Sequence, residues 1–277
     1  MQTSGKAIWP WVLGLAVVGG AGAWLFSDSL RALADRVDVP VQAPATRITA
    51  SPPAVTATPA AGAATTAPIR HPVDPRDAAD PALPALADSD AAVREALGAL
   101  FGQDRALALL LPDHLIQRVV THIDNLDKPS VPAPAMAVRA LPGSLQVETV
   151  DGTTYIAASN AERYAPYVAA FTALDAEAVG KAYVRFYPLL QQAYVQLGGP
   201  EAYFNDRLVA VIDHLVALPN APQPVAVERD ARGRYRFVDP SLQARSVGQK
   251  LLLRLDASQA LAVKRQLRAL RAAIARG

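Results

Sequence analysis

Apolar residues recur at helical spacing most densely in the stretch from Tyr183 to Leu218. Its second half carries a stripe whose apolar positions recur every three or four residues, formed by Phe204, Leu208, Val211, Leu215 and Leu218. Gly198 and Gly199 are typical of the end of one helix, and Pro200 is typical of the start of the next. The pattern therefore predicts a central helical hairpin that is buried in the core.

The same spacing predicts further helices on both sides of this hairpin. A short helix follows Ser89 and ends at Gly102. A second helix has Pro112 in its first turn and a core face formed by Leu115, Val119, Ile123 and Leu126. Pro166 and Pro188 lie inside later helices and are expected to bend them. Capping residues predict further helix starts at Ser159, Ser246 and Asp256.

Two short segments have the composition of β-hairpins. LQVE and TTYI flank the turn residues Asp151 and Gly152, and the run VAVERDARGRYRFVD has Arg232 and Gly233 near its tip. We see no internal repeat. The predicted fold class is mainly α, a single helical domain over residues 89–277 with one or two short β-hairpins.

The pattern of the N-terminal residues predicts a membrane anchor. Residues 8–26 form an uncharged apolar run with tryptophans at both ends, long enough to cross a bilayer as a helix. Lys6 precedes this run, so residues 1–7 are expected to stay in the cytoplasm while the rest of the chain crosses. The alternative is a cleaved signal peptide, since Ala21-Gly22-Ala23 resembles a cleavage site.

Residues 27–88 are rich in proline, alanine and threonine and have no apolar periodicity. Such a segment buries too little apolar surface to offset its ordering entropy, and its prolines favour extended polyproline-II. We predict a disordered stalk in which His71 is a solvated residue. The anchor and this stalk precede the helical domain.

Composition excludes several kinds of chemistry. The chain has no cysteine, which excludes disulfides, thiolate metal sites and a cysteine nucleophile. No phosphate-binding glycine loop, nucleophile elbow or closely spaced histidine pair is present. His114, Arg118 and His122 recur every four residues and are interpreted as a partly exposed stripe, with a metal or acid–base role as the alternative. We predict no cofactor and no metal.

Polar residues on the central hairpin are the first candidate site. Asp206, Asp213 and His214 interrupt an otherwise apolar helix, and Tyr203, Arg207 and His214 recur along one side of it. A tyrosine, a guanidinium and an imidazole in one groove could bind an anionic group or a sugar. The alternative is a buried polar network that fixes the register of the helices.

The basic C-terminal end is the second candidate site. Residues 229–277 carry ten arginines, two lysines and three aspartates, giving +9, whereas the whole chain carries +2 and the remainder therefore −7. On the last helix the packing face runs from Ala260 to Ile274, and the opposite face carries Lys264, Arg265, Arg268 and Arg271. This basic face predicts docking on an anionic surface; the alternative is a solvated face that complements the helix dipole.

Five sequence blocks in a fixed order resemble a known bacterial family: LLPDHLIQRVVTHIDNL, SNAERYAPYV, RFYPLLQQAYVQLG, YFNDRLVAVIDHL and SVGQKLLLRL. They lie between Ala92 and Ala273 and resemble the family called domain of unknown function 3014. The resemblance implies a membrane-anchored bacterial protein. It implies no activity, cofactor or catalytic residue.

These observations favour a single-pass protein of the bacterial inner membrane with its C-terminal domain in the periplasm. The expected function is a non-catalytic interaction or scaffolding module that holds the helical domain away from the membrane. Its expected partner is an envelope protein, a wall polymer or another anionic surface, and not a nucleic acid. The alternative is an envelope hydrolase or transferase that uses polar residues of the central hairpin. The oligomeric state stays open.

Overall fold

The computed structural model describes residues 68–74, 78, 82–101, 108, 110–130, 137–139, 141, 143–198, 203–220 and 223–275. Within these ranges the α-helices are α1 (Asp90–Phe101), α2 (Leu115–Asn125), α3 (Asn160–Thr172), α4 (Ala176–Gln196), α5 (Phe204–Val216), α6 (Pro240–Gln243), α7 (Val247–Leu252) and α8 (Ala257–Ile274), and a short 3-10 helix, Leu86–Asp88, precedes α1. The strands are β1 (Val147–Val150), β2 (Thr153–Ile156), β3 (Val227–Arg229) and β4 (Tyr235–Phe237).

Helices α4 and α8 form the centre of the domain. They pack along each other; α4 also contacts α2 and α5, and α8 also contacts α3 and α5. The largest fully buried side chains include Tyr183, Phe186 and Phe204, and the predicted packing face of α8 is buried at Val263, Leu267, Leu270 and Ile274. Each buried leucine or phenylalanine side chain contributes roughly 1.5–3 kcal/mol. The predicted central hairpin, now α4 and α5, is confirmed.

Both predicted β-hairpins are present. Strands β1 and β2 pair antiparallel around Asp151 and Gly152, whose φ angles are +49° and +77°. Positive φ at both central residues matches the twist of a two-residue hairpin turn, which is why aspartate and glycine occur there. Strands β3 and β4 also pair antiparallel, and the Ile156 N–H donates to the Val225 carbonyl, joining the two hairpins.

The helix starts follow the prediction only in part. Ser246 and Asp256 accept the predicted hydrogen bonds from Gln249 N–H and Gln259 N–H. Ser159 makes no capping bond, because its backbone already has helical dihedral angles, φ −59° and ψ −16°, whereas a capping residue is extended. The neighbouring Asn160 side chain bonds backbone groups of Gln146 and Ala157.

The remaining differences concern α2 and the prolines. Helix α2 starts at Leu115 instead of Pro112, because the Asp90 carboxylate accepts the N–H groups of His114 and Leu115. Helices α3 and α4 continue without a break through Pro166 and Pro188.

Residues 68–74, which the sequence analysis assigned to the stalk, pack against the N-terminal end of α5. Val73 is 5% exposed and joins the core. The Asp206 carboxylate accepts the N–H groups of Arg70 and His71 at 2.9 and 2.7 Å. His71 is therefore held by its backbone and half-buried, not solvated as predicted. The packed part of the chain thus includes residues before position 89.

A three-helix junction forms where the C-terminal end of α2 meets α7 and α5. The last carbonyls of a helix and its first N–H groups lack partners within the helix. Here the first N–H groups of α7 satisfy carbonyls that follow α2: Val247 donates to Lys128 and Gly248 to Leu126, both at 2.8 Å. A Cβ on Gly248 would lie 2.9 Å from the Leu126 oxygen and 2.4 Å from Leu215 Cδ2. This close approach explains the glycine.

The fold class is therefore mainly helical with two short antiparallel hairpins. Among the described residues, no helix has the length and apolarity needed to cross a membrane. The predicted span at residues 8–26 lies outside the described residues, as do Gly199 and Pro200 of the predicted helix boundary.

The close packing at Gly248 in the three-helix junction can be tested by mutation. Gly248→Ala should lower the free energy of unfolding by about 1 to 3 kcal/mol, because the added methyl overpacks a contact with backbone that cannot move aside. Gly98→Ala is the matched control, since no heavy atom lies within 4 Å of the added Cβ inside α1. It should stabilise the chain by about 0.5 to 1 kcal/mol. Urea unfolding measures both, and a Gly248→Ala chain as stable as the parent would contradict the packing described.

Candidate functional site

Arg207 of α5 is bound to the C-terminal end of α2. Its guanidinium donates two parallel hydrogen bonds to the Asp127 carboxylate, at 2.6 and 2.7 Å. It also donates to the Asp124 carboxylate at 2.7 Å and to the Asp124 carbonyl at 2.6 Å. The hydrogen bond to Asp127 raises the pKa of Arg207, and the same bond lowers the pKa of Asp127. Both groups are therefore held in their charged forms.

The other two polar candidates of α5, Asp213 and His214, face different neighbours. Asp213 accepts two hydrogen bonds from Arg271 of α8, one of them at 2.9 Å. This pair is exposed, and such pairs contribute only about 0 to 1 kcal/mol. His214 Nε2 lies 2.9 Å from the Ser246 hydroxyl, directly before α7. The Gln249 side-chain amide donates to the His214 carbonyl at 3.0 Å.

The N-terminal end of α5 holds the segment 68–74. The Tyr203 hydroxyl accepts the Val73 N–H at 2.6 Å, and its ring packs against Tyr187 with centroids 5.6 Å apart. Asn205 is fully buried; its side-chain oxygen accepts the Tyr183 hydroxyl at 2.8 Å. Its amide donates to the carbonyls of His71 and Ile274. One buried amide thus connects α4, α5, α8 and the N-terminal segment.

The four α5 candidates therefore do not converge on one groove. Tyr203 contacts the N-terminal segment, Arg207 the end of α2, Asp213 helix α8 and His214 the start of α7. Each polar side chain holds a different element against the same apolar helix. In the described ranges, no three histidine, aspartate or glutamate side chains come together as a group that could hold a metal ion. This arrangement matches the alternative of a polar network that fixes helix register.

The basic face of α8 is smaller than the sequence predicts. Lys264 is 4% exposed, not solvent-facing, because its long side chain reaches the Leu218 carbonyl and the Asn220 side chain. Arg271 is bound to Asp213. Arg265 and Arg268 stay exposed and form no ion pair with a described residue. They continue a stripe that begins at Leu261, whose side chain is 45% exposed.

The predicted stripe of His114, Arg118 and His122 is also not uniform. His114 is exposed and lies directly before α2 with a φ of +54°, whereas His122 is 1% exposed within the core. Arg118 donates to the Asp113 carbonyl at 2.8 Å. The interpretation of this stripe as a partly exposed edge is therefore wrong for His122.

Sequence reasoning missed a cavity between the β3–β4 hairpin and α7. It has a volume of about 200 Å³, and its polar lining comprises Asp230, Arg234, Arg236, Gln243, Lys250 and Arg254. We call it the cationic cavity. Lys250 and Arg254 are 8% and 5% exposed. The available signal was the run KLLLRL, in which two cations four residues apart interrupt an apolar stretch.

Some of the positive charges in the cationic cavity are paired with carboxylates and others are not. Arg234 is paired with Asp230, and Arg236 with Glu228. No hydrogen-bond or ion-pair partner for the Lys250 ammonium is found among the described residues. Burial lowers the pKa of Lys250, and the nearby positive charge of Arg254 lowers it further. Burial likewise lowers the pKa of Arg254.

Arg207 provides a direct test of the network. Arg207→Ala should lower the free energy of unfolding by about 2 to 4 kcal/mol, because it leaves the half-buried Asp127 carboxylate without its cation. Asp124 keeps its ion pair with Lys128. Arg265→Ala removes an exposed arginine of α8 and is the matched control, with an expected change within about 0.5 kcal/mol. Urea unfolding measures both variants. Unchanged stability of Arg207→Ala would favour a binding role for this side chain instead.

Comparison with known protein families gives one match. The family model described as "Protein of unknown function (DUF3014)" matches residues 115–271, more than half of the chain. The matched range contains helices α2 to α7, both hairpins and most of α8, and it confirms the resemblance carried by the five sequence blocks. Comparisons with curated proteins and with solved structures gave no match. The chain therefore belongs to the DUF3014 family of proteins of unknown function.

Proposed function

We propose that this chain is a membrane-anchored, non-catalytic interaction module of the bacterial envelope. Residues 8–26 would hold it in the inner membrane by a single pass, with residues 1–7 in the cytoplasm and the helical domain in the periplasm. The proline-rich residues 27–67 would then act as the stalk. At roughly 3.1 Å per residue in the extended form, they would place the domain on the order of 120 Å from the membrane.

The observation that carries the non-catalytic proposal is the separation of the polar side chains of α5. An acid–base or nucleophilic site needs its groups within hydrogen-bonding reach of one substrate position. Asp213 and His214 are adjacent in sequence, yet one faces Arg271 of α8 and the other faces Ser246 before α7. These contacts favour a supporting role over the alternative of a hydrolase or transferase.

The proposed contact surface is the exposed stripe of α8 formed by Leu261, Arg265 and Arg268. An apolar side chain followed by two arginines without acidic partners among the described residues favours an anionic partner. The stripe lies in the basic C-terminal end, whose positive charge also attracts an anionic partner at long range. The partner we propose is an acidic envelope protein.

Photocrosslinking in living cells tests this surface. A photoreactive amino acid in place of Arg268 of the full-length chain should give a discrete protein adduct, because the stripe lies at the contact. The matched control carries the same amino acid in place of Glu162, an exposed position on α3. Adduct yield should be at least about fivefold higher at position 268 and should fall when Arg265 is changed to glutamine.

Equal yields at the two positions, or adducts with lipid or wall material alone, would overturn the proposed acidic protein partner. A reporter fused after Gly277 checks the orientation in the same cells. Activity of a reporter that works only in the cytoplasm would contradict the periplasmic location.

A further inference from the structure

Two buried cations lie next to the same cavity without a carboxylate to balance Lys250. Lysine and arginine are seldom buried unless they are paired, because transfer of a charge out of water is unfavourable. Arg254 lies four residues after Lys250, just past the end of α7, and their like charges repel each other. A buried lysine without a partner is unfavourable for folding on its own.

The remaining charges of the cavity do not relieve this imbalance. The Asp230 carboxylate accepts the N–H groups of Arg232 and Arg234 at 2.9 Å and the Arg234 guanidinium at 2.8 to 2.9 Å. Arg236 is bound to Glu228 on the neighbouring strand at 2.7 Å. The rim pairs are thus neutral overall, and the uncompensated positive charge is at Lys250.

We propose that the cationic cavity is a binding site for a compact oxyanion, best matched by a phosphate group held between the Lys250 ammonium and the Arg254 guanidinium. A phosphate group presents several acceptor oxygens and can accept from both cations at once. The volume of about 200 Å³ holds such a group with a few waters. It is smaller than the roughly 300–1,000 Å³ of sites that enclose a whole small molecule, so we expect only the anionic group to enter.

This site is separate from the proposed contact surface. Its lining comes from Pro129, the β3–β4 hairpin, Gln243 of α6, α7 and Arg254 just after α7. The stripe of Leu261, Arg265 and Arg268 belongs to α8. Failure of the photocrosslinking experiment would therefore leave the oxyanion site untouched. Failure of the oxyanion site would likewise leave the contact surface untouched.

Thermal unfolding of the full-length chain in a non-ionic detergent tests the site. Replacing sodium chloride by sodium phosphate at equal ionic strength should raise the midpoint by about 5 to 10 °C once phosphate reaches about one hundred times its Kd, because phosphate binds only the folded chain. Lys250→Met keeps the length and apolar stem of the side chain but removes its charge. It should abolish the rise and leave the midpoint in chloride unchanged or higher.

Lys181→Met is the matched control, because it makes the same substitution at an exposed position of α4 and should keep the full rise with phosphate. A rise of equal size in Lys250→Met, or none in the parent chain, would overturn the proposal. Calorimetric titration of the parent chain with inorganic phosphate gives a result that does not depend on any variant folding. One bound phosphate per chain is expected, and no binding would refute the site.

The source of the phosphate group is decided with lipid nanodiscs. The full-length chain is placed in phosphatidylcholine with or without phosphatidic acid, whose headgroup is a phosphate monoester. Stabilisation that depends on Lys250 and appears with phosphatidic acid alone would identify a lipid headgroup. Stabilisation that appears only after inorganic phosphate is added would identify a soluble phosphate compound. Absence of both would overturn the proposal.

Discussion

The domain depends on one constraint: the carbonyl groups at the C-terminal end of α2 must accept hydrogen bonds from other helices. Arg207 of α5 donates to the Asp124 carbonyl, and the first N–H groups of α7 donate to Leu126 and Lys128. Helix ends that are buried without such partners are strongly unfavourable. The three-helix junction therefore fixes where α5 and α7 lie relative to α2, and it leaves room only for a glycine at position 248.

The polar residues of α5 fix the position of this helix relative to its neighbours. The helix is apolar enough to be buried on several sides, and apolar packing alone does not define its rotation or its register. Arg207 and His214 each bond one neighbouring element, and the buried amide of Asn205 bonds three. Their separation around the helix is what a structural network requires. It is also the reason that they do not form a catalytic group.

The elements that could be predicted are those whose signal lies in local periodicity. Three such predictions are confirmed in the structure: the apolar stripe of α5, the packing face of α8 and the Asp151-Gly152 turn. The packing of residues 68–74 could not be predicted, because backbone N–H groups make most of its bonds and every sequence supplies those. The burial of Lys264 depends on a carbonyl 46 residues away, and helical periodicity contains no information about it.

The central claim is that Arg207 supports the fold by pairing with the end of α2. A double-mutant cycle with Arg207→Ala and Asp127→Ala, measured by urea unfolding of the full-length chain, tests it most directly. The two bonds between these side chains predict that the single changes are non-additive, with a coupling energy of about 1 to 3 kcal/mol. Additive effects, with a coupling energy near zero, would contradict the account.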